Sequence, residues 1–149
     1  MKRILLALAL MGSAAQAEGL DASLWAPIKA YEAALNGGDL AGVMAQFTDD
    51  AVLMAQYAPP AVGHPAVEAT YGGLIDTLDL EIDFTFDEAF QTGPDYAVVR
   101  TRSGGQITIK GDAPVTIPNA NQELFVLHRE EGGYWQIARY IFATTLPAQ

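Results

Sequence analysis

The sequence predicts a single α+β domain, three N-terminal helices packed on a strongly curved antiparallel sheet. Three observations predict it. Helical spacing of apolar residues is confined to the stretch that ends near Leu78. From Leu80 to Asp87 apolar and polar residues alternate with a period of two, and the rest reads as antiparallel strands and turns. The 149 residues, 50% of them hydrophobic, suffice for one core, and no repeat or linker divides them. Helices early and strands late make an α+β order, and a twisted sheet wrapped over helices leaves a hollow on its concave side.

The first helix is expected over Ser23–Leu35, where Leu24, Ile28, Tyr31 and Leu35 share one face. Pro27 belongs in its first turn, and Asn36-Gly37-Gly38 ends it with residues that tolerate a left-handed cap. Asp39 caps a second helix whose apolar face is Leu40, Val43, Met44 and Phe47. Asp49-Asp50 reads as a turn, Ala51–Ala55 as a short buried strand, and Pro59-Pro60 as its breaker. Gly63-His64-Pro65 opens a third helix, with Val67, Tyr71, Leu74, Ile75 and Leu78 on its apolar side. Leu80, Ile82, Phe84 and Phe86 then alternate with Glu81, Asp83, Thr85 and Asp87 as a half-buried strand. After a turn at Gly93-Pro94-Asp95, Tyr96–Arg102 is a strand, and Gln106–Lys110 extends or follows it past Gly104-Gly105. Gly111–Asn121, with two prolines and two asparagines, reads as a loop. Glu123–Arg129 and Tyr134–Thr144 make the closing hairpin around Glu130-Glu131-Gly132-Gly133.

The N-terminus has the three parts of a secretory signal peptide: basic Lys2 and Arg3, apolar Ile4–Met11, and an A-x-A site at Ala15-Gln16-Ala17 before Glu18. The apolar run is too short to span a bilayer. No cysteine follows it, which excludes a lipid anchor at the cleavage site. The expected layout is a signal peptide over residues 1–17 and one domain over 18–149, periplasmic or secreted, with no membrane association after cleavage. The chain has no cysteine, so no disulfide helps stability in an oxidising compartment. The formal charge of −10 repels phosphate backbones, and no Lys/Arg cluster stands beyond the extreme N-terminus; nucleic-acid binding is excluded as a function class.

Four segments carry a family resemblance. Tyr31-Glu32-Ala33-Ala34-Leu35-Asn36-Gly37-Gly38-Asp39 resembles the opening of SnoaL-like domains of the nuclear-transport-factor-2-like superfamily. Phe47-Thr48-Asp49-Asp50-Ala51-Val52-Leu53-Met54, Gly63–Tyr71 and Gly132-Gly133-Tyr134-Trp135-Gln136-Ile137-Ala138-Arg139 resemble three further segments, in the same order and spacing. The likeness covers about Leu20 to Thr145. It implies a cone-shaped, cystatin-like fold, a ligand cavity inside the cone, and a homodimer built through the exposed sheet face. It implies no single reaction, because relatives include isomerases, cyclases, dehydratases, hydrolases and non-catalytic domains. One departure is visible: Tyr140 follows Arg139 where the family commonly carries an acidic residue.

Isomerase chemistry in such a cone needs a carboxylate whose pKa burial raises, and a phenol or protonated acid to stabilise an enolate. Glu123 is the candidate carboxylate, since it shares a strand face with Phe125 and Leu127; the competing reading is an ion pair with Arg100 or Arg139. Asp83 lies on the polar face of its strand. Tyr31 and Tyr71 are candidate phenols on apolar helix faces, where a tyrosine is more often a core residue with its hydroxyl hydrogen-bonded. Tyr57 precedes the two prolines near the expected mouth of the cone, and Met54 ends the strand before it. Tyr140 and Arg139 point to opposite faces, so only one of them reaches the hollow. Arg100 and Arg102 share a face opposite Thr101; an arginine inside the cone would bind a carboxylate ligand as a fork, and outside it would be solvated or at a dimer interface. His64 starts a helix and His128 stands alone on a strand, so no metal-binding spacing exists. No glycine-rich phosphate motif is present and no cofactor is expected. Ser103 sits beside glycines in an expected bend, without a G-x-S-x-G context. Three functions remain open: a lyase or isomerase acting on a small hydrophobic or carboxylate ligand, a non-catalytic binding module, and an interaction domain with a filled cone.

Overall fold

The computed structural model describes residues 12–147, with side chains from residue 22. Residues 1–11 of the expected signal peptide lie outside the described residues. Helix α1 spans Gly12–Asn36, α2 Leu40–Met44 and α3 His64–Thr77. Strands β1 (Phe47–Met54), β2 (Ala61–Val62), β3 (Leu78–Gln91), β4 (Tyr96–Ile109), β5 (Val115–Arg129) and β6 (Trp135–Thr144) form one sheet in the order β2-β1-β6-β5-β4-β3. All pairings are antiparallel except β1 with β6, which run parallel.

α1 starts upstream of the expected Ser23, so Pro27 lies inside it rather than in its first turn. The missing N–H costs one i−4 bond. The buried face of Leu24, Ile28, Tyr31 and Leu35 holds the helix regardless, since packing rather than propensity supplies most helical stability. Gly38 takes a positive φ of 64° after the helix, the left-handed conformation expected there. Asp39 caps α2, accepting from Gly42 N at 3.0 Å. α2 stops at Met44, so Phe47 opens β1 instead of completing a helical face. Asp49-Asp50 is not a turn; it lies where the β1–β6 register shifts between Phe47 and Val52.

The largest correction concerns Gly111–Asn121. Only its first residues are a loop, and β5 begins at Val115. Pro118 is tolerated in this strand for a geometric reason. Thr145 N bonds Ala120 O, so the polar groups of alternate residues here face β6 and not β4. β6 pairs only up to Asn121↔Thr144, which leaves Pro118 opposite no partner on that side. β4 is likewise one strand, unbroken at Gly104-Gly105. Gly105 has φ 137°, and a Cβ there would lie 1.9 Å from the Glu81 carbonyl oxygen, so only glycine lets β3 and β4 approach this closely.

α1 also closes the free edge of β3. Asn36 Nδ2 donates to Ile82 O at 2.8 Å, and Ile82 N donates to Asn36 Oδ1 at 2.9 Å. Phe84 N donates to Glu32 Oε2 at 2.8 Å, and Lys29 pairs with the other Glu32 oxygen at 2.5 Å. The core lies between the helices and the concave sheet face. At its centre Tyr31 makes edge-on contacts with Phe47, Tyr71, Phe84 and Phe125, and Phe125 stacks on Tyr140 with centroids 4.1 Å apart. Burying side chains such as Leu24 and Phe125 contributes about 1.5–3 kcal/mol each.

Candidate functional site

Alternation along the strands decides what the hollow contains. Ala97, Val99, Thr101 and Ser103 of β4, Glu123, Phe125 and Leu127 of β5, and Tyr140 of β6 are among the buried strand residues. Of these, Ser103 and Tyr140 face Tyr31 and Leu35 of α1 and Thr70, Tyr71 and Leu74 of α3 across a cavity of about 110 Å³. Its wall is mainly aliphatic and aromatic, from Leu53, Leu80, Ile82, Phe84, Ile107 and Phe142. Polar side chains come from Tyr31, Thr70, Tyr71, Tyr140, Ser103, Asn119 and Asn121, and among the described residues no cationic side chain lines it.

The three tyrosines form a hydroxyl cluster. Tyr31 and Tyr71 oxygens are 2.8 Å apart, and the Tyr140 ring lies edge-on to Tyr31 with centroids 5.8 Å apart. Burial raises all three phenols above their ordinary range, so they are neutral donors at any physiological pH. The Tyr31–Tyr71 bond uses one phenolic proton, and Tyr140 brings a further O–H to the cavity wall.

Glu123 is 4% exposed. Thr101 Oγ1 donates to its Oε2 at 2.5 Å, and Ser103 Oγ donates to its Oε1. No cation pairs with it among the described residues. Burial raises its pKa above the usual carboxylate range, and the Ser103 and Thr101 hydroxyls partly offset this. Its charge raises the pKa of Tyr31 and Tyr140, which places it electrostatically within the cluster. Ser103 lines the cavity while Glu123 stands behind it, so the carboxylate is one hydroxyl away from the void.

Of the residues expected at the site, Tyr31, Tyr71, Tyr140 and Glu123 come together; the others do not. Glu123 makes no ion pair with Arg100 or Arg139. Arg100 is outside the cone, paired with Asp87 at 2.8 Å and Glu88 at 2.7 Å, and Arg102 joins Asp87 at 2.9 Å. Asp87 sits at a shift in the β3–β4 register that turns its carboxylate towards both guanidiniums. Arg139 faces outward onto Asp50, bonding its carbonyl at 3.0 Å and its carboxylate at 3.2 Å. Met54 pairs with Ile141 on the outer side, whereas Leu53 pairs with Tyr140 and faces the cavity. Tyr57 is 96% exposed, with φ 61°, and does not line the cavity. Ser103, Thr101, Asn119 and Asn121 were not expected. The signal for them is the same period of two that selected Glu123; it already put Thr101 opposite Arg100 and Arg102, and the turn-forming glycines and Pro118 masked it at Ser103, Asn119 and Asn121.

Helices on the concave side of a curled six-stranded sheet, around a phenol-lined void, define a cystatin-like, NTF2-like cone. The chain belongs to the SnoaL-like domain family, whose model matches residues 28–140. It is 36% identical to a ketosteroid isomerase-like protein from Erwinia carotovora atroseptica, over 85% of this chain and 96% of that one, with a TM-score of 0.79. A domain of unknown function with a cystatin-like fold from Nostoc punctiforme matches at 17% identity over 85% and 78% of the two chains, with a TM-score of 0.68. An NTF-2 like protein of unknown function from Shewanella oneidensis matches at 18% identity over 82% and 97%, with a TM-score of 0.62. The last two likenesses show the fold alone. No curated protein sequence matches the chain.

Proposed function

We propose that the cavity binds a small, mainly apolar carbonyl compound and moves a proton on it, as an isomerase or lyase. The observation that carries this is Glu123, a buried carboxylate without a cation, one hydroxyl from a void that also offers a spare phenolic proton. A base of raised pKa suits removal of a proton next to a carbonyl, and a neutral phenol suits the enolate oxygen that forms. In this reading Ser103 Oγ accepts the substrate proton as it passes its own to Glu123. Return of that proton to another carbon completes an isomerisation; loss of a β-substituent completes an elimination. The void is of the same order as the ~150 Å³ cavity that admits benzene and far too small for a steroid skeleton, so the ligand has at most one ring. The ketosteroid isomerase-like relative agrees with the chemistry and not with a steroid-sized ligand.

The test is exchange of the α-protons of cyclohexanone in D2O, followed by NMR with purified protein. Exchange above background that disappears in Glu123→Gln is expected. Binding of the ketone without exchange would overturn catalysis and leave a binding module. One observation favours that second reading: both Glu123 oxygens already accept a hydroxyl.

Export and dimerisation belong to the same proposal. The basic, apolar and A-x-A segments of residues 2–17 support cleavage after Ala17, and mass spectrometry of a periplasmic fraction is expected to find Glu18 at the N-terminus. On the outer sheet face Leu124 and Ile141 are 38% and 44% exposed, which supports a face-to-face homodimer. Sedimentation of Ile141→Glu against wild type tests it, with a shift to monomer expected.

A further inference from the structure

The polar lining continues along β5 beyond Glu123. Asn119, Asn121 and Glu123 occupy alternate positions, so all three project from one face of the strand towards the hollow. Asn121 Nδ2 donates to Asn119 Oδ1 at 3.2 Å. With Asn121 oriented as it is, that bond orients the Asn119 amide, since flipping Asn119 alone would set donor against donor. Its Nδ2 is therefore the free end, and this atom is buried with no hydrogen-bond partner among the described residues. The strand is anchored here, because Thr145 N and Thr144 Oγ1 both bond Ala120 O, at 2.9 and 3.1 Å. A buried amide donor held in place against an apolar void costs stability unless something accepts from it.

We infer that Asn119 is a specificity-determining residue, holding a second, uncharged hydrogen-bond acceptor of the ligand whose first oxygen meets the phenol cluster. This rests on the proposed carbonyl ligand and adds its other end. The acceptor is neutral because the lining has no cation to pair with an anion, and because Glu123 stands two positions along the same face. The ligand class is thus a ring-sized compound with two neutral oxygens, such as a diketone or a keto-ether, and not the carboxylate that an inward arginine would have bound.

The test compares cyclohexane-1,4-dione with its shape-matched analogue 4-methylenecyclohexanone by calorimetric titration of the full-length protein. One good hydrogen bond predicts about tenfold tighter binding of the dione to wild type. In Asn119→Ala that preference should fall to about one, with the methylene compound binding no more weakly than before. Asn119→Asp keeps the volume and the bond from Asn121 while removing the donor, and should lose the preference too; it serves if the alanine variant does not fold. 4-Oxocyclohexanecarboxylate should bind most weakly. Equal binding of the two ring compounds to wild type, or tightest binding of the carboxylate, overturns this inference alone. Failure of all three to bind overturns the cavity reading beneath it.

Discussion

Two carboxylates on the two faces of the β3–β4–β5 region behave in opposite ways. Asp87 is on the outer face, where Arg102 and then Arg100 hold its pKa below the ordinary range. Glu123 is on the inner face, where burial holds it above that range and only hydroxyls reach it. The residues that select these fates are neighbours: Arg100 and Arg102 point out, and Thr101 and Ser103 point in. The same strand therefore stabilises a charge on one side and leaves one poised to take up a proton on the other. A short alternation of residue types is enough to separate a solvated ion network from a buried carboxylate that only hydroxyls reach among the described residues.

The largest effect expected from breaking this contrast is on turnover. Removing a general base costs about 10²–10⁴ in rate, so Glu123→Gln should abolish α-proton exchange while ligand binding persists. Ser103→Ala should fall by a similar factor if the proton passes through its hydroxyl; full activity would show that Glu123 acts directly. Next comes Tyr31→Phe. It removes the hydroxyl bonded to Tyr71, leaves that buried phenol without its partner, and should cost about 1–3 kcal/mol in denaturant unfolding.

The pH dependence sharpens the comparison further. Glu123 binds its proton more tightly folded than unfolded. Its contribution to stability is therefore present below the unfolded carboxylate pKa and is lost as pH rises through its raised value. Glu123→Gln should flatten that loss. Asp87 has the opposite sign: its contribution is present above the unfolded value and is lost as pH falls through its depressed one. Urea midpoints of the two variants across pH should diverge in opposite directions. The smallest effect is that of Asp87→Asn at neutral pH. Its partners are solvated, so any loss should shrink further in high salt.

Much of this was legible in the residues because periodicity is a statement about faces. Leu24, Ile28, Tyr31 and Leu35 had to share a helix side, and Glu123 had to share one with Phe125 and Leu127. The same rule placed Tyr140 and Arg139 on opposite sides, though it could not say which was inside. Packing decided that: Tyr140 stacks on Phe125, and Arg139 finds Asp50 across a parallel pairing that no local pattern announces. Arg100 went outward because a register shift brings Asp87 to it from another strand. Asn119 and Asn121 were hidden by Pro118 and the glycines, whose turn-forming habit is overridden where a strand edge has no partner to lose.

The edge of β3 has a consequence for how the protein behaves when concentrated. Asn36 and Glu32 occupy the backbone groups of Ile82 and Phe84 that an incoming strand from another molecule would need. Fibre-like growth along that side must first peel α1 from the sheet and expose Leu24, Ile28 and Tyr31 to water. The contacts that tether a helix to its sheet thus also act as a barrier to aggregation, and weakening Asn36 should be felt in shelf life and turbidity before it is felt at the cavity.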